Sequence, residues 1–225
     1  MGTTDSANYV VETQVPTATI VVADNALKAG ETSGVTITFS EAVSGFTNAN
    51  LTIANGSLSN VSSSDGGITW TATFIPTVDV TDSTNLISLD NRGVTNASGN
   101  SGVGVTDSNN FTIDTVRPTA TIVVADNALN IGETSLVTIT FSEAVSGFDN
   151  SDLTVANGSL SNVSSRDGGM TWTAAFTPTG NITGASNRIT LNNSGVSDLA
   201  GNAGVGSTDS NNYAVDTQRD RKSVV

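Results

Sequence analysis

Oxygen-bearing side chains are the reactive inventory of this sequence: Asp114, Glu143, Asp198 and Asn202, with Glu12, Glu41 and Asn100 standing 102 positions ahead of the first, second and fourth. Carboxylates gathered in one small volume repel unless a cation neutralises them. An oxygen-only set completed by backbone carbonyls suits Ca2+ rather than zinc or copper. The counterpart of Asp198 is Asn96, so the earlier set is one carboxylate poorer. No single loop carries an EF-hand or nonapeptide calcium pattern, and the competing reading is that these acids merely decorate solvated loops. The chain has neither histidine nor cysteine. That excludes His-based acid/base catalysis, Ser-His-Asp triads, His-ligated zinc and disulfide staples. Asp149 and Asp152 have the residue types for glycoside hydrolysis. They flank a turn, however, lack an aromatic platform and are Thr47 and Asn50 in the other copy, so they read as solvated turn residues. Lys28, a conceivable partner for an isopeptide bond, has Asn130 as its counterpart and reads as an exposed lysine. No enzyme is expected.

The elements that would position these groups come twice. Pro16 recurs at Pro118, Glu41 at Glu143, Trp70 at Trp172 and Pro76 at Pro178, each 102 positions on with no insertion between. A strict period of one domain length marks a tandem array whose functional unit is the copy. The 225 residues thus divide into an orphan terminal strand and linker (1–15), a first repeat (16–117), a second repeat (118–219) and a tail (220–225). The segment Thr106–Thr115 has relatives at Thr4–Thr13 and Thr208–Thr217. Three copies of one strand for two of everything else make it the last strand of each unit, and Asp114–Pro118 a short hinge bounded by proline.

Val35–Phe39 and Ile68–Phe74 alternate apolar and polar residues, which predicts half-buried strands with Val35, Ile37, Phe39, Ile68, Trp70 and Phe74 inward. Further strands are expected at 17–23, 51–54, 57–63, 86–90 and 110–114. Turn residues fill the gaps at 24–25, 28–30, 55–56, 65–67 and 97–100. No stretch has a helical period. Seven short strands in about 100 residues predict an all-β chain of two tandem immunoglobulin-like antiparallel sandwiches, with Trp70 and Trp172 filling the cores.

Several motifs carry a family resemblance. Pro-Thr-Ala-Thr-Ile (16–20, 118–122), Thr-Phe-Ser-Glu-Ala-Val (38–43, 140–145), Gly-Ile-Thr-Trp-Thr-Ala-Thr-Phe (67–74) and Asp198-Leu199-Ala200-Gly201-Asn202 resemble the bacterial Ig-like repeats stacked in large secreted, RTX-type and biofilm adhesins. The resemblance covers nearly the whole chain. It implies calcium-binding spacers that hold an adhesive domain away from the cell, exported by type I secretion to an extracellular or cell-surface location. Where a further proline would follow Asp216-Thr217, the sequence runs Arg219-Asp220-Arg221-Lys222.

With 21 acidic against 8 basic residues the net charge is −13, which opposes nucleic acids and anionic lipids and favours cations. No run approaches 18 apolar residues and Met1-Gly2 opens onto polar sequence, so the chain reads as a soluble piece of something longer, with no membrane insertion. In an up-and-down sandwich the loops collect at two poles. The pole by the incoming linker of repeat 2 gathers Glu143, Asp167 and Asp198–Asn202, and with Asp114 from the hinge this predicts an interdomain calcium site. The expected function is a structural spacer stiffened by that cation, whose partners are neighbouring repeats of the same chain. The alternative is an adhesive module binding carbohydrate or a cell-surface receptor; host or surface carbohydrate could also be met through domains outside this sequence. Near-identity of the loops in both copies favours the spacer.

Overall fold

The computed structural model describes residues 11–219, so the relatives of the last strand at Thr4–Val10 and the tail from Asp220 lie outside the described residues. The chain forms two compact units that meet between Thr115 and Val116. In the first, the strands run β1 (Ala18–Val22), β2 (Ala26–Lys28), β3 (Ser33–Phe39), β4 (Val43–Ser44), β5 (Leu51–Ile53), β6 (Gly56–Leu58), β7 (Ser62–Ser63), β8 (Thr69–Pro76), β9 (Thr81–Asn85), β10 (Ile87–Asp90), β11 (Thr95–Asn96), β12 (Val105–Asp107) and β13 (Phe111–Asp114). The second unit repeats them 102 residues on, from Ala120–Val124 to Tyr213–Asp216. Among the described residues the only helical pieces are single 3-10 turns. This is the all-β, tandem Ig-like architecture expected.

One layer is the antiparallel sheet β1-β3-β8-β6, with β7 also on β8. Across the core lie three short ladders, β12-β10-β5, β11-β4 and β2-β13-β9. Strict alternation makes β3 the spine: Ser33, Val35, Ile37 and Phe39 face in, while Gly34, Thr36 and Thr38 face out. Val35, Ile37 and Phe39 join Leu27, Phe74, Leu89 and Phe111 in one buried cluster, and the same positions build the second core around Phe176 and Tyr213. Buried amides close the seams between ladders. Asn85, 1% exposed, donates to the carbonyls of Asp82 (3.0 Å) and Phe111 (3.1 Å) and accepts from Asn55 Nδ2 at 2.8 Å. Such satisfied polar groups stitch short strands whose own ladders are brief.

Four expectations change. Trp70 does not fill the core: its indole is half-buried, edge-on to Phe46 at 5.2 Å, and donates to the Gly67 carbonyl at 3.1 Å. The inner face ends there at the pole, and an indole N–H needs a partner that the core lacks; Phe74 and Phe111 are the large buried rings instead. Trp172 repeats this against Phe148 and Gly169. Ile68 is 40% exposed, because the left-handed Gly66 and Gly67 (φ 80° and 97°) reset the alternation before the ladder begins at Thr69. Residues 26–28, expected partly as turn, pair in parallel with β13, the one non-antiparallel ladder among the described residues of the unit. Finally, 57–63 is two strands with a break after Leu58.

The hairpin from Ser63 to Thr69 folds around one carboxylate. Asp65 accepts from the Ile68 and Thr69 amides and the Ser63 hydroxyl, and these donors, the Thr69 amide foremost, hold its pKa down to about 2 from 3.8. Asp167 repeats the arrangement at about 2. A depressed folded-state pKa contributes stability that is present above the unfolded value and disappears as pH falls through the folded one. The melting temperature is therefore expected to decline between about pH 4 and 2, and an Asp65→Asn, Asp167→Asn double variant to flatten that stretch; equal slopes in thermal melts across the window would refute the assignment.

Candidate metal centre

The expected site residues occupy both poles of the sandwich. In the second unit, the ladder equivalent to β4 and β11 pairs Val145 with Asp198 and Ser146 with Ser197. That register brings the Glu143 turn beside the Asp198–Asn202 loop. Asp198 is 2% and Asn202 2% exposed. One carboxylate oxygen of Asp198 accepts from the Asn202 amide at 2.7 Å and the other from Asn202 Nδ2 at 2.8 Å. Gly201, at φ 90°, closes the turn by donating to the Asp198 carbonyl at 3.3 Å. The half-buried Glu143 places a carboxylate oxygen within 4.8 Å of one from Asp198. The Asp167 hairpin borders the same pole through Gly169, whose carbonyl takes the Val145 amide at 3.2 Å.

The first unit has the same frame with different charge. Asn96, 3% exposed, accepts from the Ser98 and Asn100 amides at 3.1 and 2.9 Å, and its Nδ2 donates to the Gln14 carbonyl at 3.1 Å. Asn100 Nδ2 donates to the Glu12 carbonyl at 3.0 Å. Glu12 is exposed and Glu41 half-buried; the Glu12 side chain accepts from the Gln14 amide at 2.7 Å. Asp114 ends β13 at the opposite pole of this unit, half-buried, accepting from the Thr81 hydroxyl at 2.9 Å. Nearby, Asn55 Nδ2 reaches Asp82 at 2.8 Å.

Two contributors escaped the sequence reading. Arg117 Nη1 donates to the Ala203 carbonyl at 2.6 Å, tying the start of the second unit to the end of the Asp198 loop; its counterpart is Val15, a difference visible in the repeat alignment. Asn96 was read as a lost carboxylate, whereas its carboxamide is a donor in its own right. The pair Asp149 and Asp152 proves to be a capping box on a 3-10 turn. The Ser151 hydroxyl and amide hold Asp149 below the usual carboxylate range, as expected of a structural turn.

The donor set at Asp198 fits a hard dication: it holds carboxylate and carbonyl oxygens and no sulfur or imidazole. A buried carboxylate beside a second one is costly without positive charge nearby.

Comparison with known proteins agrees with the fold. No curated protein gives a significant match. Among solved structures, the chain is similar to the Escherichia coli adhesin FdeC, with 14% identity over 88% of this chain and 62% of that one at a TM-score of 0.35. It is similar also to tandem Ig repeats of Dlar, with 12% identity over 89% and 97% at 0.28, and to domains 4–9 of the surface-layer protein SbsC, with 16% over 93% and 32% at 0.25. The chain spans about 62% of the length of the FdeC structure. The bacterial Ig-like domain family matches twice, over residues 12–113 and 114–215, so nearly the whole sequence is accounted for and the chain belongs to that family as two tandem copies.

Proposed function

We propose that this chain is a spacer segment of a bacterial surface or secreted adhesin, in which the second copy holds Ca2+ through Glu143 and Asp198, with Asp114 supplied by the hinge that precedes it. The observation that carries the spacer reading is the repetition itself: among the described residues, thirteen strands and the seam-closing amides recur at one interval of 102 residues. Selection on reach preserves the whole frame of each copy, whereas a dedicated binding domain diverges from its neighbour in its loops. The approach of the Glu143 and Asp198 carboxylates supports the cation. When bound, Ca2+ would supply the charge that lets these oxygens share one site; the Asp198–Asn202 turn orients one carboxylate and the Val145 ladder sets the other beside it. The 102-residue period makes Asp114 the counterpart of Glu12, and a cation gripping the hinge would stiffen it.

Calcium binding only the folded state stabilises by mass action, about 1.4 kcal/mol at ten times Kd. The melting midpoint of the second unit is expected to rise with free Ca2+ and that of the first to stay put, as calorimetry in calcium and in chelator would show. Identical curves in both would sink the metal. Small-angle scattering of wild type against Asp114→Ala, Glu143→Ala in saturating calcium tests the stiffening, with a more flexible variant expected. Saturable binding of soluble glycans by the wild type would move the assignment to an adhesive module.

A further inference from the structure

We propose that the outward face of the β1-β3-β8-β6 sheet is a docking surface for a second copy of this chain, so that spacers standing side by side adhere face to face.

Charge singles this face out. The strands of this sheet, β7 included, and their equivalents in the second unit hold no Asp, Glu, Lys or Arg, in a chain of net charge −13. The strands of the opposite layer hold Lys28, Asp82, Asp90, Asp107 and Asp114 in the first unit and Asp198, Asp209 and Asp216 in the second. Two acidic copies repel wherever their charged surfaces meet, and like charges brought together across an interface are costly. Face to face through the neutral sheet, the charged layers stand three inter-sheet spacings apart, about 30 Å. That is several Debye lengths of about 8 Å at physiological salt.

The face itself is a grid of hydroxyls and aliphatic groups. Thr19, Thr38 and Thr69 form one cross-strand row, and Val21, Thr36, Thr71 and Ser62 the next; the second unit repeats both 102 residues on. Val21 and Val123 are 54% and 53% exposed, and Ile75 and Leu136 lie on the same faces at 49% and 55%. A hydroxyl both donates and accepts, so such a grid is complementary to another copy of itself. A foreign partner of either charge finds nothing here to pair with. The aromatic residues of these strands point inward, which leaves no ring to stack a sugar.

Four strands about 4.8 Å apart and up to seven or eight residues long present roughly 450 Å2 per copy. A stable pair buries about 800 Å2 on each partner. One face therefore associates weakly, and two engaged together would reach that size, which makes adhesion grow with the number of repeats.

The test is sedimentation of the full chain against concentration, in low salt and at about 0.15 M. The weight-average mass of the wild type is expected to rise with concentration, and more so at the higher salt, where pole charges are screened. Val21→Glu, Val123→Glu should weaken association by roughly tenfold or more. Thr52→Glu, Thr154→Glu, which adds the same charge at exposed positions of the opposite layer, should leave it within about twofold of wild type at the higher salt. Amide resonances of the wild type give a reading free of any variant: those of Thr19, Thr36 and Thr71 should shift with concentration and those of β10 and β12 stay still. A wild type that remains monomeric to about 1 mM, equal losses in the two double variants, association weakened by salt, or shifts centred on β10 and β12 would each overturn the proposal. A monomeric wild type whose face binds a soluble glycan would overturn it in favour of a sugar.

Discussion

Replacing Phe176 by alanine is expected to cost the second unit about 3–5 kcal/mol, the range for emptying a fully buried aromatic site. Phe176 is 0% exposed, meets the Tyr213 ring edge-on with centroids 4.9 Å apart, and shares its strand position with Ser135 on one side and Leu160 on the other. Its ring also fills the space that a side chain at Gly158 would need. Collapse around the missing ring is resisted on every side: Tyr213 is anchored by its hydroxyl to the Ala156 carbonyl, and Gly158 is held in the ladder opposite Pro178. Denaturant unfolding followed at Trp172 measures the loss. A change under 1 kcal/mol with an unaltered denaturant slope would mean that the core is not organised around this ring.

Gly169→Ala is expected to cost about 2–4 kcal/mol, against about 1 for its neighbour Gly168→Ala. Both glycines have left-handed backbones, φ 100° and 79°, which a side chain adopts only with strain. Only Gly169 is also crowded: a Cβ there would sit 2.6 Å from the Val145 carbonyl, whereas one at Gly168 meets nothing within 4 Å. The excess therefore measures the close crossing of two backbones. The Gly169 carbonyl takes both the Val145 amide and the Trp172 indole N–H, the latter at 3.0 Å, and Val145 pairs with Asp198. Gly169→Ala should accordingly blunt any calcium response as well, while Gly168→Ala leaves it intact. Equal losses for the two variants in matched denaturation curves would remove the close-crossing argument.

Much of this was legible from residues alone. The 102-residue period announced two equivalent units, and alternation through Val35, Ile37 and Phe39 placed β3 and its buried face correctly, because side-chain direction in a strand follows parity and parity survives any tertiary context. The absence of histidine and cysteine removed whole classes of chemistry without reference to shape. The alternating-pole argument also grouped Glu143 with Asp198 before any coordinates, since strand connectivity alone determines which loops share an end.

Other features waited on the fold. Parity placed Trp70 inward and could not say that the inner face ends at that pole, where an indole finds the Gly67 carbonyl in place of a core. Ile68 escaped the same rule because two left-handed glycines reset the strand just before it. The short parallel strand at Ala26–Lys28 exists only because β13 lies beside it and supplies its partners, which nothing local in Ala-Leu-Lys encodes. Above all, the sequence told Asn96 from Asp198 by charge, and only the tertiary structure decided that the difference lies in a buried hydrogen-bond donor. Whether an amide is a lost ligand or a working tether depends on which carbonyl stands within 3.1 Å of it, and that is set by chain segments 82 residues apart.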